Sequence, residues 1–137
     1  WEEEVYYSAF KKALCLSKLK SHFPINELVQ AHEFRPSRVE AIYEIIKHYR
    51  EEGYYDIAYS LCKRQLAKPR SQDILFIDKS IYDYKLIDEL AVCAYWVGEY
   101  EESFILNRQL LENPYLPAFF KERIEENQKF AESKMRE

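Results

Sequence analysis

The sequence predicts an all-α chain, a stack of helical hairpins closed by a C-terminal capping helix. Three observations predict it. Apolar residues recur at helical spacing almost throughout. Only two glycines, Gly53 and Gly98, occur among 137 residues, too few for the tight turns of a β-rich fold or for a phosphate-cradling loop. Those two glycines also head segments that align at one common offset of 45 residues. The length is that of a single domain, 1–137, large enough to bury a core without disulfides or metal.

Seven helices are expected. The first runs from Trp1 to Leu19, with Val5, Ala9, Ala13 and Leu16 on one stripe. Pro24 opens a short second helix whose face carries Ile25, Leu28, Val29 and His32. Ser37-Arg38-Val39-Glu40 reads as a capping box for the third, with Ile42, Ile45, Ile46 and Tyr49 as its buried stripe and Gly53 as its stop. Tyr55, Ala58, Tyr59, Cys62 and Leu66 form the fourth, closed by Pro69. A polar stretch, Arg70 to Asp73, leads to a docked loop or single turn at Ile74–Ile77. Asp78 or Ser80 caps the fifth helix, with Ile87, Leu90, Ala91, Ala94 and Val97 on its stripe, and Gly98 ends it. Tyr100, Ser103, Phe104, Asn107 and Leu111 belong to the sixth, closed by Pro114. Pro117 opens the seventh, where Phe120, Ile124 and Phe130 give a partial apolar face and the tail from Glu132 frays.

The offset makes a repeat visible. With Gly53 on Gly98, Tyr55 falls on Tyr100, Ala58 on Ser103, Tyr59 on Phe104, Leu66 on Leu111 and Pro69 on Pro114. Upstream, Ile42, Ile45, Ile46 and Tyr49 fall on Ile87, Leu90, Ala91 and Ala94. Each unit is a hairpin: the glycine supplies a left-handed C-cap, a small residue five positions on permits close helix approach, and the proline stops the second helix. Such a hairpin cannot bury its apolar face alone, so neighbours stack.

Gly53-Tyr54-Tyr55-Asp56-Ile57-Ala58 and Gly98-Glu99-Tyr100-Glu101-Glu102-Ser103 resemble the tetratricopeptide repeat. The period departs from the family's value of about 34 residues, which leaves room for the Arg70–Lys79 insertion. Asn107 stands where that family prefers a bulky apolar side chain, and the first pair keeps only its closing Pro36. A second likeness spans nearly the whole chain. Arg35-Pro36-Ser37-Arg38-Val39-Glu40-Ala41, Tyr49-Arg50, Gly53, Leu75-Phe76, Tyr82, Tyr95-Trp96-Val97-Gly98-Glu99-Tyr100 and Arg123-Ile124-Glu125-Glu126-Asn127 occur in that order. Together they resemble the helical region that follows the catalytic domain in some bacterial and large-virus glycosyltransferases. That resemblance implies a missing N-terminal catalytic domain as partner. The opening residue, Trp1 rather than Met, fits a segment excised from a longer chain.

Charge and composition exclude several classes. The 20 basic and 24 acidic residues give a net charge of −4, which argues against a nucleic-acid binder. No apolar run approaches the ~20 residues that a membrane span needs, and no secretory leader is visible. Cys15, Cys62 and Cys93 fit neither a disulfide framework nor a metal site. They are expected as small core hydrophobes in a reducing, cytoplasmic setting. His22, His32 and His48 lack metal-ligand spacing. Asp78, Asp83 and Asp88 form no Asp-x-Asp triplet, and Asp83 and Asp88 are expected on a solvated helix face. No catalytic constellation or cofactor is therefore expected.

Two candidate sites remain. Arg35 and Arg38 flank the start of the third helix, where a helix N-terminus with two guanidinium groups can hold an anion. The competing expectation is that Arg38 pairs with Glu33 or with a carboxylate from a neighbouring helix. In the tetratricopeptide family the first helix of each pair lines a concave groove. The resemblance puts Glu40, Tyr43, Lys47 and Arg50 there from one repeat, and Asp88, Val92, Tyr95 and Trp96 from the other. The expected function is a non-catalytic accessory or interaction region of a glycosyltransferase, which supports the catalytic domain or binds a peptide or glycan. The alternative is a stand-alone protein–protein interaction scaffold.

Overall fold

In a computed structural model, which describes residues 1–19 and 22–137, the chain is all helix and connection. Helix α1 (Glu2–Leu19) starts with three glutamates in its first turn, where carboxylates favour the helix dipole. It is followed by α2 (Ile25–Phe34), α3 (Glu40–Glu51) and α4 (Tyr55–Leu66). A long connection leads to a π-helical turn, Ile81–Lys85, that runs directly into α5 (Leu86–Trp96). Then come α6 (Tyr100–Glu112), a 3-10 turn at Ala118–Phe120 and α7 (Lys121–Met135). No strand occurs among the described residues. Each helix packs on the next in sequence, and α3 also touches α5.

The two glycine turns are the same turn. Gly53 has φ +86° and Gly98 φ +91°. The N–H of Gly53 bonds to the Arg50 carbonyl at 3.0 Å and that of Tyr54 to the Tyr49 carbonyl at 2.8 Å. Gly98 and Glu99 repeat this pattern on Tyr95 and Ala94, at 3.2 and 2.8 Å. Both are Schellman caps, whose left-handed residue favours glycine. Ala58 and Ser103, one small side chain per hairpin, are completely or almost completely buried where the next helices meet.

Several local expectations are corrected. The capping box does not form: α3 is capped by Val39 without a side-chain hydrogen bond, because Glu40 is drawn into an ion pair with Arg38 instead. Asp78 does cap the fifth helical segment, accepting from the N–H and the hydroxyl of Ser80 at 3.1 and 2.6 Å. The buried stripe of α1 is Tyr6, Phe10 and Ala13, one step round from the expected one, since the Tyr6 hydroxyl reaches the Ala41 N–H at 3.0 Å. In α2 the buried pair is Leu28 and Ala31, and Val29 is exposed. Phe130 is exposed while Ala131 is buried, and α7 stays helical to Met135, beyond the expected fraying point. Asp83 and Asp88 are half-buried and paired rather than free on a solvated face: Arg70 holds the first at 2.9 Å and Arg123 the second at 2.6 Å.

The core has two parts. The larger joins Tyr6, Phe10 and Leu28 to Ile42, Ile46, Ala58, Cys62, Leu86 and Leu90. The smaller, made of Tyr84, Ala91, Leu110, Leu116 and Ile124, lies between α5, α6 and α7.

Candidate functional site

Helices α3, α5 and α7 carry two adjoining hollows. The first, about 310 Å³, is lined by Tyr43, Lys47 and Arg50 of α3, by Lys85, Asp88, Glu89 and Val92 around α5, and by Phe120 and Arg123. The second, about 150 Å³, has Ala91, Val92, Tyr95 and Trp96 of α5 on one side, Asn127 and Phe130 of α7 on the other, and Ser103 of α6. Val92 belongs to both. Seven of the eight residues that the resemblance places on the groove, Tyr43, Lys47, Arg50, Asp88, Val92, Tyr95 and Trp96, line this pair of hollows. Glu40 is the exception, being 2% exposed and turned into the core network around Arg38.

The two hollows differ in chemistry. The first carries four basic side chains, Lys47, Arg50, Lys85 and Arg123, against Asp88 and Glu89. Arg123 grips Asp88 through two nitrogens at 2.6 and 3.2 Å. Arg50 pairs with Glu89. Burial pushes the Glu89 carboxyl upward against the pull of Arg50. Lys47 lies over the Tyr43 ring and reaches Glu44 at 3.3 Å. Among the lining side chains basic groups outnumber acidic ones, with Glu44 and Glu51 standing beside Lys47 and Arg50.

The second hollow is aromatic. Trp96 is 58% exposed, although it follows a buried stretch of α5. Its ring stacks on Tyr55 of the preceding hairpin at 5.3 Å and 16°, and meets Tyr95 edge-on at 5.3 Å. Phe130 stands exposed across the opening. Solvent-exposed aromatic rings grouped around a concavity are the kind of apolar surface that marks a docking site.

Arg35 and Arg38 have partners of their own. Arg35 places two nitrogens on Asp73 at 2.6 and 2.7 Å and a third on Glu2 at 2.7 Å. Arg38 is fully buried. It forks onto Glu40 at 2.9 and 3.1 Å, donates to the carbonyls of Leu75 and Phe76, and lies over the Tyr6 ring. Burial opposes the Arg38 charge, yet the Glu40 hydrogen bonds and charge hold its pKa above the ordinary value. The anions at this helix start are the chain's own carboxylates, from Glu40 and from the connection rather than from Glu33.

Cys62 and Cys93 are buried, and Cys15 is exposed, contrary to the expected core position. Burial raises the Cys62 thiol well above its usual range and pushes Cys93 up to about 12. Both thiols stay protonated and unreactive at neutral pH. Among the described residues no group of three or more His, Cys, Asp or Glu is placed to hold a metal ion. No described helix is long and apolar enough to cross a membrane.

Sequence reasoning missed Lys85, Arg123, Asn127 and Phe130. A signal existed for three of them: Arg123, Asn127 and Phe130 are spaced four and three apart, which puts them on one helix face. Treating α7 only as a cap obscured it. No protein family, curated protein or solved structure matches the chain.

Proposed function

We propose that this chain is a non-catalytic, tetratricopeptide-like interaction region that holds an extended peptide segment of a partner. The observation that carries this reading is the pair of adjoining hollows, one with surplus basic charge and one walled by exposed aromatic rings. A segment with acidic residues beside one aliphatic or aromatic side chain matches both. The acidic part meets Lys47 and Lys85, whose charges are less fully engaged than those of Arg50 and Arg123. The apolar side chain enters between Tyr95, Trp96 and Phe130. The identical caps at Gly53 and Gly98 support the repeat assignment. On the ordered motifs described above, the partner is the catalytic domain of a glycosyltransferase, and this chain is its accessory region. Three unpaired cysteines support a cytoplasmic setting.

A specific observation favours glycan as a second reading. The Trp96 ring is exposed and is backed by the half-buried Tyr55 ring stacked on it, an arrangement of the sort on which a sugar ring can stack.

The test is titration of the ¹⁵N-labelled protein with acidic peptides carrying one leucine or phenylalanine, and with oligosaccharides. The expected result is amide shifts at Val92, Tyr95 and Trp96 with the peptides. Trp96→Ala should then weaken binding by about 2 kcal/mol, the size of an anchor residue, with the melting temperature almost unchanged because the ring is exposed. Loss of stability without loss of affinity overturns the groove reading. Turnover of a nucleotide sugar by this chain alone overturns the non-catalytic one.

A further inference from the structure

The hairpin of α3 and α4 is tied to the hairpin of α5 and α6 by side chains of unequal strength. At the start of α3, Glu40 accepts from the Tyr82 hydroxyl at 2.7 Å. From α4, Tyr59 donates to Glu102 of α6, and Lys63 pairs with the same carboxylate at 3.0 Å. At the end of α3 the tie is Arg50 to Glu89. Among the described residues it is the one side-chain hydrogen bond or ion pair that joins α3 to α5.

This last tie is lopsided. Glu89 is 7% exposed, yet among the described residues a single hydrogen bond, from Arg50 Nε, reaches its carboxylate. Glu40, the other buried glutamate, accepts two bonds from Arg38, one from Tyr82 and one from the Asp78 N–H. A buried carboxylate is held ionised by the hydrogen bonds it accepts, so Glu89 is the less well answered of the two. The cation can leave more easily than the anion can stay. Arg50 stands at the mouth of the hollow with the exposed Glu51 at 3.8 Å as a second acceptor. The other neighbours do not replace it. Lys47 favours the Glu89 charge only at a distance, and Asp88, itself gripped by Arg123, opposes it. Lys85 lines the same hollow. Tyr43 of α3, Cys62 of α4 and Cys93 of α5 are kept neutral by burial.

We propose that the Arg50–Glu89 pair is an acid-sensitive clamp between the two hairpins: when Glu89 takes a proton from solvent, Arg50 is released and the end of α3 loosens from α5. Before uptake the pair carries one positive and one negative charge, and afterwards only the guanidinium charge remains. The start of α3 stays anchored through Glu40, and α4 stays tied to α6. The freed guanidinium turns toward Glu51 and the groove hollow, where it joins Lys47 and Lys85. Opening is separable from acid unfolding. Burial holds the Glu89 carboxyl above its ordinary value of 4.5 against the pull of Arg50. The folded chain therefore binds this proton more tightly than the unfolded chain does, so uptake favours the folded state. The Asp73 fastening is lost only in the more acidic range below 3.8. The inference does not depend on what the groove binds.

The test is NMR of the whole chain as pH is lowered from neutral, following the Glu89 side-chain ¹³C carboxyl signal, the Arg50 Nε–H and the backbone amides. The expected result is a Glu89 midpoint above 4.5, with faster exchange of the Arg50 Nε–H and shifts at Tyr43 and Val92 that share that midpoint. Amide protection in the helix interiors should persist through the transition. Glu89→Gln, which carries no charge at any pH, should show the acid-state Arg50 and Tyr43 signals already at neutral pH. Arg50→Gln should move the Glu89 midpoint further up, and supplies the second variant if Glu89→Gln does not fold. A Glu89 midpoint at or below 4.5, Arg50 signals that do not follow it, or loss of protection throughout the chain at the same midpoint overturns the proposal.

Discussion

Arg38 has no exposed surface, and its partner Glu40 has almost none. A pair this deep survives only because every polar atom is answered. Glu40 also accepts from the Tyr82 hydroxyl at 2.7 Å and the Asp78 N–H at 3.3 Å. Arg38→Ala should therefore cost about 3–5 kcal/mol, since it strands a buried carboxylate. Arg38→Met combined with Glu40→Leu should cost clearly less than the sum of the single changes, as read by a double-mutant cycle in urea. The glycines make a cleaner case. A Cβ on Gly53 or Gly98 would meet nothing within 4 Å, so only the positive φ resists substitution. Gly53→Ala and Gly98→Ala should each cost about 1–2 kcal/mol, and by similar amounts. A large difference between the two denaturation midpoints would show that the turns are not energetically equivalent.

Among the elements, the connection between α4 and the π-helical turn is the most dependent on distant partners. It has no regular structure from Lys68 to Ile77, yet it is fastened from Asp73 to Phe76. Asp73 is held by Arg35 and Arg38, and the N–H groups of Ile74 and Leu75 donate to Glu3 at 2.7 and 3.2 Å. Phe76 adopts a left-handed φ of +57° and stacks on Tyr7 of α1 at 4.3 Å. Such strain in a non-glycine residue persists where neighbours over-determine it, and here Arg38 donates to its carbonyl and to the one before it. Hydrogen bonding to Arg35, helped by the charges of Arg35 and Arg38, holds the Asp73 carboxyl below its ordinary value of 3.8. The folded pKa is depressed, so this fastening contributes fully above pH 3.8 and is lost as pH falls below it, through the folded value. Amide exchange in residues 70–78 should accelerate over that acidic window before the helices melt. Asp73→Asn should bring the same acceleration at neutral pH.

At the scale of the molecule, each helix rests chiefly on its sequence neighbours, and two core clusters meet along α5. Stability in such an array is close to a sum of neighbour terms. Deleting residues 121–137 removes Ile124 from the smaller cluster and one wall from the aromatic hollow. Amide protection should then fall in α6 and in the part of α5 that faces it, while α1 to α4 keep theirs. Collapse of protection throughout the chain would mean that the two clusters fold as one unit. If the proposed reading holds, the same deletion should abolish peptide binding at Tyr95 and Trp96, because Asn127 and Phe130 of α7 wall the aromatic hollow.

Helix positions, the repeat and its two caps were legible in the residues, because periodic burial and a left-handed glycine are local properties of the chain. Tyr43, Lys47, Arg50, Asp88, Tyr95 and Trp96 were named only through the resemblance to the tetratricopeptide repeat, and the structure lines two adjoining hollows with them. What the tertiary structure alone decided is which charges meet. From the residues alone Arg35 and Arg38 read either as an anion site or as cations paired with a carboxylate, and it is Asp73, 35 or more positions away, that folds back onto them. Glu40 reads as half of a capping box until a buried arginine competes for it. Local propensity is written into a few neighbouring residues, whereas ion pairs and cavities depend on distances between segments that are far apart along the chain.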